Sequence, residues 1–389
     1  MAKQNVQVIE SVDGLERLVD EWSDLCDHAA NPNPFYRPEL LLPALRMGLP
    51  KGRTLAVVVR SPAGDLAGMF PLQTSGKRLT VCRPLSHLYC FLETPLVRKG
   101  FQDVALSGLA QALCGRALPS TVLQIDSLGL DDRCHRDSIR AVGLAMLPTQ
   151  VSRRPVLRAG QQLHPSSRAV KEYRQKWRKL EELGALRLES VGADQPGFCR
   201  RLNEFLDLEH GGWKARQGSS MKSAGVPRQY FEEAVIKAAH SGMWAIESLC
   251  LDDRPIAMQL NLIERSDRTS VFGFKSAFDD RLERYSPGAV LLNEQRRRFH
   301  DSSDMDLFDS CAGEGNHAVF RLWPDRLERS GYYLATNNLL GRAYLEVISR
   351  KLEPGGRPDR SGQLPSLPSS TPVLQPAGIK FPGAVGPAV

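Results

Sequence analysis

The stretch SVFGFKSAFDDRLERYSPGAVLLNEQRRRF, residues 270 to 299, changes character twice. It begins as an apolar strand that ends near Lys275 or Ser276, passes through a polar loop, and at Tyr285-Ser286-Pro287-Gly288 opens a helix. The buried stripe of that helix is Leu291, Leu292, Gln295 and Phe299. A small-residue turn at a helix N-terminus aims unpaired backbone N–H groups and the positive end of the helix dipole at one point, an anion site suited to a pyrophosphate. The same residues also read as a plain N-cap, Ser286 followed by proline at the first helical position. Under either reading the local fold is strand, loop, helix.

Working outward, the chain has 389 residues, 42% hydrophobic and 24% charged, the balance of a globular protein with a large core. That length favours two domains over one. A net charge of +7 permits an anionic partner without demanding one. The N-terminus MAKQNVQVIE lacks a secretory apolar segment, and no run approaches the ~20 apolar residues of a membrane helix, so the expected location is the cytoplasm. The eight cysteines are scattered without a CxxC pair or a cysteine/histidine ladder, which predicts buried reduced thiols and no metal site.

A pattern of helix, helix, strand, tight turn, strand occurs twice. In the first half, helices around Leu15–Cys26 and from Pro38 precede strands 54–60 and 65–73, joined by Ser61-Pro62-Ala63-Gly64. In the second, helices at about 194–209 and 227–239 precede strands 244–251 and 255–263, joined by Asp252-Asp253-Arg254. Each half continues with more β structure, a helix (about 102–116 and 288–300) and a short strand (about 121–126 and 305–309). The fold class expected is α/β, a mixed sheet with helices on both faces, duplicated in tandem.

Between the halves a helix over about 166–183 ends at Gly184 in the role of a left-handed cap. Val170, Tyr173, Trp177 and Leu180 form its packed stripe, and Arg168, Lys171, Arg174, Arg178 and Lys179 lie outside. A last helix closes the folded body near Lys351. Residues 353–389 hold eight prolines and six glycines without any apolar period, which predicts a disordered tail. The expected division is therefore 1–160, a linker at 161–184, 185–352 and the tail 353–389.

Several of these segments together resemble the CelD-like family of GNAT-superfamily acyltransferases: the strand, loop and helix with SPG, the preceding FKSAFDD, the upstream LEHGGWKARQG (208–218), the basic linker helix and the downstream DSCAGEGNHAVFRLWPDR (309–326). That family is described as acetyltransferases of cellulose biosynthesis and is similar in architecture to the tandem Fem-type peptidyl transferases. The resemblance covers Arg168 to Ile348 well and the first half in outline. It implies tandem GNAT-like domains, the first degenerate, with the second holding acetyl-CoA or another acyl-CoA. The pyrophosphate would lie on the backbone of Ser286, Pro287, Gly288, Ala289 and Val290. The glycine-rich loop of simple acetyltransferases is reduced here to Ser-Pro-Gly, and Fem-type relatives use aminoacyl-tRNA in a similar cleft.

Acyl transfer needs an aligned acceptor, a proton acceptor and stabilisation of the developing oxyanion. On this resemblance Lys275 stabilises charge or contacts donor phosphate, Asp279 or Asp309 is the base, and Tyr285 protonates the leaving thiolate. Each also has a plain structural reading, as a strand-end cation, a surface carboxylate or a packed ring. Glu209, Trp213 and Lys214, in a glycine-broken segment after a helix, suit recognition of a sugar or peptide acceptor, the tryptophan alternatively plugging the core. Cys311 with His317 is read as no nucleophile, since direct transfer needs none, and Arg296-Arg297-Arg298 as a solvated helix end. Three functions are weighed: acyl-CoA-dependent transfer to an amine or hydroxyl, such as a cell-envelope sugar or polysaccharide precursor; aminoacyl-tRNA-dependent peptide bond formation, with nucleic acid bound by the basic linker helix; and a non-catalytic binding module.

Overall fold

The computed structural model describes residues 6–75, 80–115, 117–125, 142–149, 152–161, 164–216, 218, 220–265, 268–313, 315–329 and 331–352. The tail 353–389 expected to be disordered lies outside them, as does Cys134.

The fold is α/β, built on two mixed sheets. The first contains β1 (Val6–Ile9), β2 (Thr54–Arg60), β3 (Leu66–Ser75), β4 (Val81–Pro84), β5 (Leu96–Val97), β6 (Val122–Ile125) and β7 (Leu144–Pro148). The second contains β8 (Ser152–Arg158), β9 (Leu186–Gly192), β10 (Trp244–Leu251), β11 (Arg254–Arg265), β12 (Thr269–Phe278), β13 (Met305–Asp309) and β14 (Asp325–Arg329). One further strand, β15 (Tyr332–Thr336), returns to the first. The orders are β1-β2-β3-β4-β6-β15-β7, with β5 on β3, and β9-β10-β11-β12-β13-β8-β14. In each sheet four antiparallel strands are followed by one parallel step, β4 to β6 and β12 to β13. The turns Ser61–Gly64 and Asp252–Arg254 occupy matching places, as a tandem repeat of one fold requires. Asp252 and Asp253 both take positive φ there, 47° and 66°, the conformation of a tight hairpin.

The repeat is not a simple one, because the halves exchange strands. Ser152–Arg158, expected in the first domain, lies between β13 and β14 of the second sheet. Tyr332–Thr336, expected in the second, lies between β6 and β7 of the first. The expected divide between 1–160 and 185–352 is thus crossed in both directions. A short apolar run such as YYLAT carries no mark of which sheet it will join, so periodicity could not reveal this.

The helices are α1 (Val12–Glu16), α2 (Val19–Asp27), α3 (Pro38–Arg46), α4 (Gln102–Cys114), α5 (Ser167–Glu181), α6 (Phe198–Gly211), α7 (Trp213–Arg216), α8 (Val226–Phe231), α9 (Pro287–Asp301), α10 (His317–Leu322) and α11 (Leu339–Leu352). None of these is long and apolar enough to cross a membrane. In α5 Tyr173 and Leu180 are buried and the five named cations exposed, as the stripe predicts. Gly184 follows with φ 159°, not the left-handed cap expected but still a conformation that side chains rarely adopt, and a Cβ there would also fall 2.2 Å from the Asp252 carboxylate. Of the seven cysteines described, five are buried as expected, but Cys114 and Cys199 are exposed.

One apolar cluster joins the halves. It runs from Trp22, Phe35, Leu41 and Tyr89 to Phe205, Tyr230, Trp244 and Phe274, and forms a shared seam on one face of each sheet. At its edge Arg37 grips Glu264 with both arms, Nε to Oε1 at 2.6 Å and a terminal nitrogen to Oε2 at 2.8 Å. Burial pushes the Glu264 carboxyl up, and Arg37 opposes that. Removing one partner of such a pair leaves a buried charge and costs roughly 3–5 kcal/mol.

Because β15 fills the gap between β6 and β7, a chain ending at Arg329 should fail to close the first sheet although all but one of its strands are present. Its melt should lose cooperativity, and a protease should cut first within residues 1–148. A protease-resistant first half in that shortened chain would show that the exchange is dispensable.

Candidate active site

The second sheet opens at the parallel step. β13 pairs with β12 only as far as Phe272 opposite Asp309. Beyond it the Ser310 amide donates to Pro155 O at 3.2 Å, in β8, and Cys311 turns with φ 51°. Gly273 passes under this turn so closely that a Cβ would lie 2.7 Å from Ser310 O. From Phe274 to Phe278 β12 then continues without β13 beside it, leaving a notch. The register between β11 and β12 also shifts here, Leu260 opposing Lys275 and Asn261 opposing Gly273, which makes Phe274 the extra residue of a β-bulge. Two successive side chains therefore face the same way: Phe274 enters the seam and Lys275 reaches α6.

Lys275 ends on Glu209, in the last turn of α6. Its Nζ donates to Glu209 Oε1 at 3.1 Å. Lys214, presented by the Gly211-Gly212 break, reaches the same oxygen at 3.5 Å and donates to Ser276 O at 2.6 Å. The other carboxylate oxygen accepts the Met221 N–H at 2.8 Å. One fully buried carboxylate thus holds two ammonium groups beside the notch. Burial pulls Lys214 down to about 8 against the attraction of Glu209, and the like charge of Lys275 adds to the fall. The Tyr89 ring lies beneath Lys275, its centroid 5.4 Å from Nζ. Burial, with the charge of Glu209, pushes the Tyr89 phenol up to about 12.

Of the residues expected from sequence, Lys275, Glu209 and Lys214 are brought together. The side chain of Trp213 lies outside the described residues. Asp279 and Asp309 are in structural service. Asp279 caps the short 3₁₀ helix Asp280–Tyr285, accepting from the Arg281 amide at 3.1 Å, and is held by Arg281 at 2.7 Å and Arg254 at 3.0 Å. Asp309, 1% exposed, accepts the Cys311 amide at 2.8 Å and pairs with Arg154 at 3.0 Å. Burial raises the Cys311 thiol, which disfavours a thiolate. Tyr285 is half-buried with Arg284 over its ring at 4.6 Å, and packs with the cluster around Leu180 and Val290.

The turn Ser286–Val290 offers less to an anion than its sequence suggests. Ser286 is left-handed, φ 51°, and its carbonyl accepts from both the Ala289 and Val290 amides at 3.0 and 3.1 Å. Pro287 has no N–H, so in this turn the Gly288 amide is the donor left without a described partner. A cation compensates: Lys176 of α5 donates to Ser286 Oγ at 3.1 Å. A Cβ on Gly288 would meet Phe278 at an ordinary 3.6 Å, so local packing does not require that glycine.

Sequence reasoning missed Tyr89. It lies in SHLYCFLETP, 86–95, which has no period of helix or strand. The available signal was a non-periodic loop too rich in aromatic and apolar residues to be solvated.

Residues 167–318 match the family model described as an acetyltransferase (GNAT) domain. Among solved structures, the chain is similar to the C-terminal domain of a putative lysylphosphatidylglycerol synthetase from Agrobacterium fabrum, at 13% identity over 88% of this chain and 98% of that one, TM-score 0.51. It is similar also to a conserved protein of unknown function from Bacteroides thetaiotaomicron, at 9% identity over 82% and 97%, TM-score 0.52. A tandem GNAT protein from the clavulanic acid biosynthesis pathway aligns at 14% identity over 86% and 99%, TM-score 0.42. No curated protein matches the sequence. At these identities the likeness is one of fold: a GNAT-type acetyltransferase domain in the second half, within a duplicated architecture.

The depressed Lys214 has a measurable sign. With a folded value near 8 and an ordinary value of 10.5, the unfolded chain binds more protons between those limits, so this group's contribution to stability rises with pH across them. The difference in unfolding free energy between the parent and Lys214→Met should move in the parent's favour from pH 8 to 10.5, on the order of 2 kcal/mol. A flat difference would mean that Lys214 titrates normally.

Proposed function

We propose that this protein moves an acyl group from acetyl-CoA or another acyl-CoA to an amine or hydroxyl acceptor. The observation that carries the reading is the notch between β12 and β13, flanked at the bulge by Lys275 and Lys214 on a single buried carboxylate. A thioester arm entering the notch would bring its carbonyl to the Lys275 ammonium, where charge develops on oxygen. Lys214, titrating near 8, can take the proton of an attacking amine or hydroxyl at neutral to mildly basic pH. Glu209 holds both groups in place. At the far end of β12, Lys176 and the Gly288 amide would receive the donor's phosphates. The CelD-like resemblance implies a cell-envelope sugar or polysaccharide precursor as acceptor.

A second reading, aminoacyl-tRNA as donor, is favoured by one observation. Arg168, Lys171, Arg174, Arg178 and Lys179 are all exposed on α5, on the same helix whose Lys176 meets the start of α9. Such a row of cations suits a phosphodiester backbone.

Calorimetric titration with acetyl-CoA should give saturable binding. Lys275→Ala should bind it within a few-fold of the parent and turn over roughly 10²-fold more slowly. Normal turnover in Lys275→Ala would remove the oxyanion role. Failure of every CoA ester to bind, with salt-sensitive binding of charged tRNA in its place, would establish the second reading over the first.

A further inference from the structure

We propose that Tyr89, a residue of the first half, is the hydrogen-bond donor to the oxygen on which negative charge develops during acyl transfer by the second half. The proposal rests on the acyltransferase reading and gives the first half a part in the chemistry. Three observations carry it.

The first is an unused donor. Tyr89 is 1% exposed, and its hydroxyl finds no hydrogen-bond partner among the described residues. A buried hydroxyl without a partner costs about 1–3 kcal/mol, and phenylalanine would fill the same space without that cost.

The second is position. The ring is sandwiched between the Lys275 ammonium and Tyr230, on which it stacks at 4.6 Å with 10° between the planes. The phenol is close enough to Glu209 to be raised by its charge, and with burial it stands near 12. At neutral pH it remains O–H and can donate.

The third is rigidity. The coil that carries Tyr89 is clamped by both halves. From the first, Tyr36 donates to Leu85 O at 2.8 Å, and Asn33 to Leu92 O and Thr94 O at 3.1 and 2.6 Å. From the second sheet, Arg154 of β8 donates to Phe91 O at 2.7 Å and Arg329 of β14 to Thr94 Oγ1 at 3.0 Å. The Tyr89 amide itself donates to His87 Nδ1 at 3.3 Å. Burial pulls His87 down to about 3, so this ring stays neutral and able to accept.

The step balances as follows. The acceptor nitrogen forms the new bond to the thioester carbon, and the C=O pair moves to oxygen, which receives the Tyr89 O–H and the field of Lys275. Collapse re-forms the carbonyl and breaks the C–S bond. The acceptor's proton passes to neutral Lys214 and from it to the thiolate, while Tyr89 keeps its own proton throughout.

The test is Tyr89→Phe in the full chain, following CoA release from acetyl-CoA to glucosamine or water. The expected result is a 10²- to 10³-fold fall in kcat with KM for acetyl-CoA within a few-fold. The melting temperature should be equal to or above the parent's, because no hydrogen bond among the described residues is lost. Parental turnover in the variant overturns the proposal. So does a melting temperature several degrees lower, which would reveal a structural partner for the hydroxyl. If the parent releases no CoA, the same pair is compared on charged tRNA, whose ester presents the same carbonyl. An active parent with an equally active variant refutes Tyr89 alone, and an inactive parent on both donors refutes the acyl-transfer reading and Tyr89 with it.

Discussion

The hydrogen bonds that hold β8 between β13 and β14, and β15 between β6 and β7, bind each half of the chain into the other's sheet. Every later feature of the molecule leans on them. β8 supplies Arg154, which anchors both Asp309 and the coil of Tyr89. It also accepts the Ser310 amide at Pro155 O, just where the pairing of β13 with β12 ends. The seam is apolar because two sheets tied in this way must bury one face of each against the other, and Arg37 with Glu264 fixes their relative register by a pair that tolerates no unpaired member.

The site follows a simple electrostatic arrangement: one buried carboxylate balances two ammonium groups, leaving a net positive corner beside an opening. Burial there disfavours an ammonium, and two without Glu209 would repel each other. With the carboxylate present, both ammonium groups are held side by side next to the parallel step between β12 and β13.

Much of this was legible in the sequence where local pattern and outcome share a cause. WAIESLCL and TLAVVVR are strands because their apolar residues have two faces to cover, and Met305–Asp309 and Pro287–Asp301 are bounded by the residues that end such elements. Glu209 and Lys214 were read as acceptor-binding residues of a glycine-broken segment and Lys275 as a cation at a strand end; that Glu209 is instead buried in the last turn of α6 and holds both lysines depends on contacts between distant elements, which the sequence does not display. The exchange of β8 and β15 was not legible, since register between distant strands is decided by packing and not by composition. The roles given to Asp279 and Asp309 failed to anticipate Arg281, Arg254 and Arg154, whose side chains reach them from turns and another sheet. Tyr89 was hidden because its loop has no period and its partner Lys275 is distant in the chain.

The strand exchange also has a consequence for biosynthesis. A ribosome releases β6 and β7 long before β15, and at ~5–20 residues per second the gap between them stays open for roughly 10 to 40 s. Through that interval the nascent first half presents two unsatisfied strand edges and an uncovered apolar face. β8, meanwhile, waits for β13 and β14. The first sheet therefore cannot be completed until the last strand emerges at the end of translation.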